Sequence, residues 1–147
     1  MDFDTRVKMS IYQTIAETTR TPTSQEVATM LQASRKDVET AFQRLHEKRL
    51  LVPEPGDPSR IRMAPPFSGI ETVFPVHVGT KTYFANCIWD ALGIAAALHQ
   101  DAMVHASDGH TGEPIVLEIK DGAVLSDECV IHFAVPAALW WKDIIYT

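Results

Sequence analysis

Cys87 and Asp90 stand three residues apart at the beginning of an apolar segment. If this segment is helical, the spacing places both side chains on one face, with their Cβ atoms roughly 5–6 Å apart. A thiol in the first turn of a helix feels the partial positive charge of the helix N-terminus, which favours the thiolate. A carboxyl group in apolar surroundings tends to keep its proton, because desolvation raises its pKa. The pair therefore predicts a nucleophile or soft-metal ligand beside a proton donor.

The same spacing also fits a purely structural interpretation, in which Asp90 complements the helix dipole and Cys87 fills space as a small buried residue. The chain has two cysteines, Cys87 and Cys129, without the spacings of a disulfide framework. This pattern favours free thiols in a reducing cytoplasm over a secreted, disulfide-linked domain. From these residues alone, both interpretations stay open.

Residues 1–65 have the pattern of three helices followed by a hairpin. Apolar residues at every fourth position predict an amphipathic first helix over residues 4–18. Thr23 and Ser34 are suitable N-caps for a second and a third helix. Two short extended runs then flank the turn-rich segment 53–58. This order of elements predicts a winged-helix-like domain over residues 1–65.

Prolines at 65 and 66 mark a boundary, and residues 66–147 change to a strand pattern. Hairpins are predicted around residues 79–81 and at Asp121-Gly122, and a further strand is predicted over residues 129–135. Residues 87–98 are apolar nearly all round, which predicts a buried helix, with Asn86 as its cap. The predicted fold class is α+β, a winged-helix-like helical domain followed by a mixed β-sheet domain whose buried helix carries Cys-x-x-Asp.

The sequence around the Cys-x-x-Asp pair, residues 83–92, resembles the core motif of the organomercurial (alkylmercury) lyase family. Residues 111–115 look like the family's Thr-Gly-x-Pro turn, which leads into a strand. Residues 129–133 resemble its cysteine-containing strand that ends in His-Phe, and residues 135–140 resemble the segment after it. The resemblance covers roughly residues 70–141, and a winged-helix-like domain in front of the motif is also the family's arrangement.

The resemblance implies an activity. In that family, two thiolates bind an organomercury cation, and an aspartate protonates the carbon as the carbon–mercury bond breaks. Carried over to this sequence, Cys87 is the first thiolate, Asp90 is the proton donor, and Cys129 is the second thiol, with all three at the metal. Thiolates suit this task because they are preferred ligands of soft cations. The implied partners are a small organometal substrate and a thiol acceptor for the released mercury(II), and no prosthetic group is implied.

The second thiol departs from the family's pattern by one residue. The family's second cysteine lies four residues before the His-Phe pair, where this chain has Glu128, whereas Cys129 lies three residues before His132. A one-residue offset along a strand reverses the face to which a side chain points. Cys129 nevertheless shares its parity with the apolar residues of this segment, and a bulge would bring it to the first thiol. If Cys129 does not take this role, the chain is a metal-binding relative that cleaves poorly.

The sequence contains a second possible metal cluster and a helix that fits a different function. His105, Asp108 and His110 form a loose group that we interpret as solvated loop residues, and we interpret His77 as a surface or hydrogen-bonded residue rather than a ligand. The third helix carries side chains able to contact DNA, which would suit a metal-responsive DNA-binding regulator. Residues 1–65 have a net charge of only +1 and the remainder one of −7, which disfavours a nucleic-acid partner. The longest apolar run, residues 91–98, falls short of the about 20 residues that span a membrane.

Overall fold

The computed structural model describes residues 1–126 and 128–145. The chain begins with three helices: α1 (Phe3–Thr18), α2 (Ser24–Leu31) and α3 (Arg35–Glu47). Thr23 caps α2 in a reciprocal capping box with Glu26, and Ser34 caps α3 by accepting a hydrogen bond from the Asp37 backbone N–H. These side chains satisfy amide groups that a helix N-terminus leaves without partners. The three predicted helices and their caps are confirmed.

A small antiparallel sheet follows the helices, with strands β1 (Val52–Glu54), β2 (Asp57–Ala64) and β3 (Phe67–Ser68) in the order β1-β2-β3. The predicted hairpin after the third helix is confirmed, although its turn is limited to Pro55 and Gly56 because β2 already begins at Asp57. Strand β3 pairs with the end of β2. The first sheet therefore continues past residue 65, and the division of the chain at that point stays a prediction.

A second sheet has five strands in the order β5-β4-β6-β7-β8. They are β4 (Pro75–Val78), β5 (Lys81–Phe84), β6 (Ala102–Ser107), β7 (Pro114–Lys120) and β8 (Ala123–Val124). Helix α4 (Ile88–Leu98) connects β5 to β6, and every pairing between the described strands is antiparallel. The α+β class is confirmed. No helix in the described part of the chain is long and apolar enough to cross a membrane.

Two strand predictions differ from the structure. Strand β6 lies where a loop was expected, because pairing with β4 and β7 orders a segment whose own pattern is weak. The strand expected over residues 129–135 is wrong, since residues 128–135 contain no regular element before a 3₁₀ helix at Ala137–Lys142. This segment pairs with none of the described strands, and Val130 within it is 94% exposed. The hairpin turns predicted near residue 79 and at Asp121-Gly122 are confirmed.

Helix α4 is buried on one face only, which corrects the expectation of burial all round. Ala91, Ile94 and Ala95 are buried against the five-stranded sheet, whereas Trp89 is 55% exposed. An apolar composition thus identifies the helix but does not show whether anything covers its second face. The helix also approaches the turn between β2 and β3 closely, because a Cβ atom at Gly93 would lie 3.2 Å from the Pro66 Cβ atom.

Three hydrogen bonds join α1 to the later strands and loops. The Tyr12 hydroxyl donates to the Pro65 carbonyl at 2.7 Å, and the Lys81 ammonium and Tyr83 hydroxyl both donate to the Ala16 carbonyl at 2.8 Å. Ala16 lies in the last turn of α1, where carbonyl groups have no partner within the helix. Side chains of β5 therefore provide hydrogen-bond donors for a carbonyl group at the end of α1.

Candidate functional site

Cys87 is itself the N-cap of α4. Its backbone is extended, and its Sγ accepts a hydrogen bond from the Asp90 backbone N–H at an S···N distance of 3.5 Å. The sequence predicted Asn86 in this position, so the helix begins one residue later than expected. This shift fixes the thiol at the end of the helix beside backbone N–H groups, rather than along its side.

The Asp90 carboxyl group lies in the first turn of α4 and is partly buried. Its Oδ2 accepts a hydrogen bond from the Asn86 side-chain amide at 2.9 Å. Burial raises the pKa of Asp90, and the bond from Asn86 opposes this effect without cancelling it. The direction of this shift agrees with the expectation that the carboxyl group tends to keep its proton.

The pKa of Cys87 is raised as well, which corrects the expectation that the helix N-terminus makes this thiol a ready thiolate. Burial is the largest cause, and the negative charge of Asp90 acts in the same direction. Hydrogen bonds from the backbone N–H groups of Asp90 and Trp89 lower the pKa but do not compensate. The helix terminus thus contributes as predicted, while desolvation outweighs it.

Cys87 and Asp90 line a cavity of about 320 Å³ between α4 and the C-terminal 3₁₀ helix. Its lining residues are Arg49, Met63, Pro65, Asn86, Cys87, Trp89, Asp90, Phe133, Trp140, Trp141, Ile144 and Ile145. The Phe133 ring lies between those of Trp89 and Trp140, with centroid distances of 6.1 and 5.3 Å. A thiol and a partly buried carboxyl group therefore face a space with mainly apolar, aromatic walls. Such a space suits the organic part of a small organometal cation.

The N-terminal elements also influence the site, although no sequence pattern indicated this, because Tyr12 lies near Asp90 without lining the cavity. Tyr12 of α1 packs edge-to-face on Phe67 with ring centroids 6.2 Å apart. Burial, and after it the negative charge of Asp90, raises the pKa of Tyr12 to about 12. The phenol therefore stays neutral close to the carboxyl group. Only its place in an apolar helical pattern was visible in the sequence, because the contact joins residues 53 or more positions apart.

Cys129 is a free, exposed cysteine outside any regular element, and it is not among the residues that line the cavity. Phe133, four residues further along, does line it. A role for Cys129 as the second thiol stays a prediction. Asp108 from the loose cluster caps a turn, accepting hydrogen bonds from the backbone N–H groups of His110 and Thr111. Within residues 1–126 and 128–145, no three or more His, Cys, Asp and Glu side chains form a group able to hold a metal ion.

We expect the alkylation of Cys87 by iodoacetamide to accelerate with pH around a midpoint above that of an ordinary cysteine. A raised pKa leaves less thiolate at any given pH, so the rate constant reaches its plateau later. The Asp90→Asn change should move the midpoint down, because it removes a negative charge beside the thiolate. Both rates are measured by mass spectrometry in a Cys129→Ser background, with an unstructured cysteine peptide as the reference. A midpoint at or below that of the peptide would contradict the raised pKa of Cys87.

The chain is similar to known proteins in both sequence and structure. The family model of MerB, alkylmercury lyase, matches residues 67–147, which is more than half of the chain. Among solved structures, the chain is similar to the one titled "Crystal structure of the mercury-bound form of MerB2", with 24% sequence identity and a TM-score of 0.69. The match covers 86% of this chain and 60% of that one, so the chain spans about three fifths of the length of that structure. No curated protein matches the chain significantly.

Proposed function

The chain belongs to the alkylmercury lyase family, and on this premise we propose that it binds an organomercury cation through Cys87 and breaks the carbon–mercury bond with a proton from Asp90. In the first step the Cys87 thiol loses its proton to solvent as a sulfur–mercury bond forms. In the second step the Asp90 proton passes to the carbon atom, and the electron pair of the carbon–mercury bond forms the new carbon–hydrogen bond. The products are a hydrocarbon and mercury(II) held by thiolate.

The observation that supports this proposal best is the arrangement of the two groups at the start of α4. The N-cap thiol and the first-turn carboxyl group open onto one apolar cavity. Thiolate is the preferred ligand class for a soft metal, and a proton donor has to lie within reach of the reacting carbon. Cys87 supplies the thiolate and Asp90 supplies the proton donor.

The raised pKa of Cys87 is compatible with capture of a metal. A thiol that is protonated at rest binds metal by releasing its proton, so the affinity of the metal for sulfur provides the driving force. Asp90 has the opposite task, because it must keep its proton until the carbon atom is in place. Its raised pKa favours this state, and the Asn86 amide occupies Oδ2, which leaves Oδ1 to carry the proton.

The proposal includes Cys129 as the second thiol, so that Cys87, Cys129 and Asp90 together surround the mercury. The segment that carries Cys129 reaches the cavity at Phe133, whose ring contacts Trp89. The proposal requires this segment to move so that the exposed Cys129 sulfur reaches the metal. The mercury then passes to a thiol acceptor, so it enters as part of the substrate and leaves as part of the product.

The test is the release of benzene from phenylmercury in the presence of excess thiol, measured by gas chromatography. We expect catalytic benzene release by the parent chain, and a loss of about tenfold to a hundredfold in the Cys129→Ser variant, by analogy with the removal of a supporting metal contact. Val130→Ser, at the exposed neighbouring position, is the matched control and should keep full activity. Full activity of Cys129→Ser would remove that residue from the site. Stoichiometric uptake of phenylmercury without benzene would instead identify a metal-binding protein.

The contacts of α3 do not favour the alternative of a DNA-binding regulator. Arg35 forms an ion pair with Glu39 on the same helix, and Arg44 forms one with Asp4 of α1. Two of the arginines that could contact phosphates are thus engaged within the chain. A cytoplasmic location, which the free thiols favour, stays a prediction.

A further inference from the structure

Two histidines face each other on the five-stranded sheet, away from the cavity at Cys87. His77 lies on β4 and His105 on the neighbouring strand β6, with ring centroids 4.8 Å apart and ring planes at 90°. The residues that alternate with them, Val76 and Val104, are fully buried. Because successive side chains of a strand point to opposite faces, both imidazoles lie on the face of the sheet opposite the core.

We propose that His77 and His105 form a binding site for a divalent late transition metal, separate from the organometal site. A nitrogen about 2.0–2.1 Å from a metal places the centre of its imidazole ring about 3.2 Å from that metal, so two rings that meet it at about 90–110° have centres roughly 4.5–5.2 Å apart. The 4.8 Å separation lies within this interval. The two rings are therefore spaced as a pair of ligands to one ion.

Thr82 orients one of the two ligands. The Nδ1 atom of His77 is 2.9 Å from the Thr82 Oγ1 atom, and Thr82 stands directly opposite His77 on β5. Strands β5 and β6 flank β4 on opposite sides, so this contact turns the Nδ1 edge of the ring away from β6 and the Nε2 edge toward it. With the proton on Nδ1 donated to Thr82, Nε2 has a free lone pair for a metal. This is the usual arrangement of a metal-binding imidazole.

The neighbouring strand residues suggest which ion the site takes. Met103 stands directly opposite His77, and Glu118 stands directly opposite Met103 on β7. Side chains at such positions have Cβ atoms about 4.5–5.5 Å apart, so the Met103 thioether lies beside His77, while Glu118 is one strand further away and is not part of the site. Two imidazoles with open positions for water, sulfur or oxygen hold a metal reversibly. Nitrogen ligands of this kind bind Cu²⁺ more tightly than Ni²⁺ or Zn²⁺.

The experiment titrates Cu²⁺ into the full chain carrying Cys87→Ser and Cys129→Ser, so that no thiol competes, and follows it by calorimetry and electron paramagnetic resonance. We expect one Cu²⁺ per chain, with hyperfine coupling to imidazole nitrogen. His77→Gln and His105→Gln should each abolish this signal, and Thr82→Val should weaken binding by about tenfold or more by removing the group that orients His77. His110→Gln, in an exposed turn, is the control and should bind like the parent.

Binding that survives either His77→Gln or His105→Gln overturns the proposal, and so does the absence of Cu²⁺ binding at micromolar concentrations. Glutamine keeps a polar side chain on the outer face of the sheet, and circular dichroism spectra verify that both variants fold. The readout involves no organomercurial, so its result is independent of the function proposed for Cys87 and Asp90.

Discussion

Replacing Cys87 by serine is expected to reduce the turnover of phenylmercury by a factor on the order of a thousand or more, the range found when an essential catalytic group is removed. The hydroxyl group is a hard ligand with little affinity for mercury, and it does not ionise in the working pH range. The fold should not suffer, because serine is among the best N-cap residues and can accept the hydrogen bond that Sγ now accepts from the Asp90 N–H. Benzene release and thermal unfolding are measured on the same samples.

Cys87→Ala is the matched variant, because it removes both the sulfur and the cap. We expect it to be inactive like Cys87→Ser but less stable by about 1 kcal/mol, the usual cost of losing an N-cap side chain. Comparing the two variants therefore separates the effect of losing the sulfur on turnover from the effect of losing the N-cap on stability. Retained turnover in either variant would place the capturing thiol elsewhere, and loss of folding in the serine variant would show that the sulfur is needed for packing.

The Asp90→Asn change is expected to stop bond cleavage while leaving capture intact. An amide has the shape of a carboxyl group but has no acidic proton to give to carbon, and loss of a general acid typically lowers the rate by about a hundredfold to ten-thousandfold. Cys87 is unchanged, so the variant should still bind one phenylmercury per chain. Mass spectrometry of the intact adduct and gas chromatography of benzene distinguish the two steps. Rapid benzene release by this variant would exclude Asp90 as the proton donor.

The same change should raise the stability of the chain at neutral pH. Because burial raises the pKa of Asp90, the folded state prefers the protonated form, and its contribution to stability is complete below the ordinary aspartate pKa of about 4 and lost as the pH rises through the folded-state value. Above the folded-state pKa, Asp90 is a partly buried carboxylate, which destabilises the folded state. We expect Asp90→Asn to increase the free energy of unfolding by about 1 kcal/mol at pH 8, with a smaller difference near pH 4.

Urea unfolding at the two pH values measures the stability effect, with Glu71→Gln at an exposed position as the control for loss of a charge. An equal or lower stability of Asp90→Asn at pH 8 would show that the carboxylate is well accommodated in the fold. In that case burial would not explain why the Asp90 carboxyl group tends to keep its proton.

The sequence was informative wherever local patterns decide the structure. Capping residues at Thr23 and Ser34 and the turn at Asp121-Gly122 each act within a few residues, and the structure has them where predicted. Cys87 and Asp90 were identified because their spacing is itself local. The helix start was displaced by one residue because an N-cap depends on backbone geometry, and the thiol of Cys87 serves that position as well as the Asn86 amide would.

The sequence was uninformative where distant segments meet. The sign of the shift in the pKa of Cys87 depends on burial, which arises from walls as far away as Arg49 and Trp140. Tyr12 affects the pair only because α1 folds against the segment at Pro65. The strand expected at residues 129–135 is absent because alternating apolar residues form a strand only if the segment pairs with a sheet, and this segment pairs with none of the described strands.

The hydrogen bonds from Lys81 and Tyr83 to the Ala16 carbonyl make the end of α1 and strand β5 depend on each other. A chimera that joined the sheet and α4 to unrelated leading helices would leave both donors without their acceptor. A substitution that displaces the end of α1 is therefore expected to disturb residues more than sixty positions away.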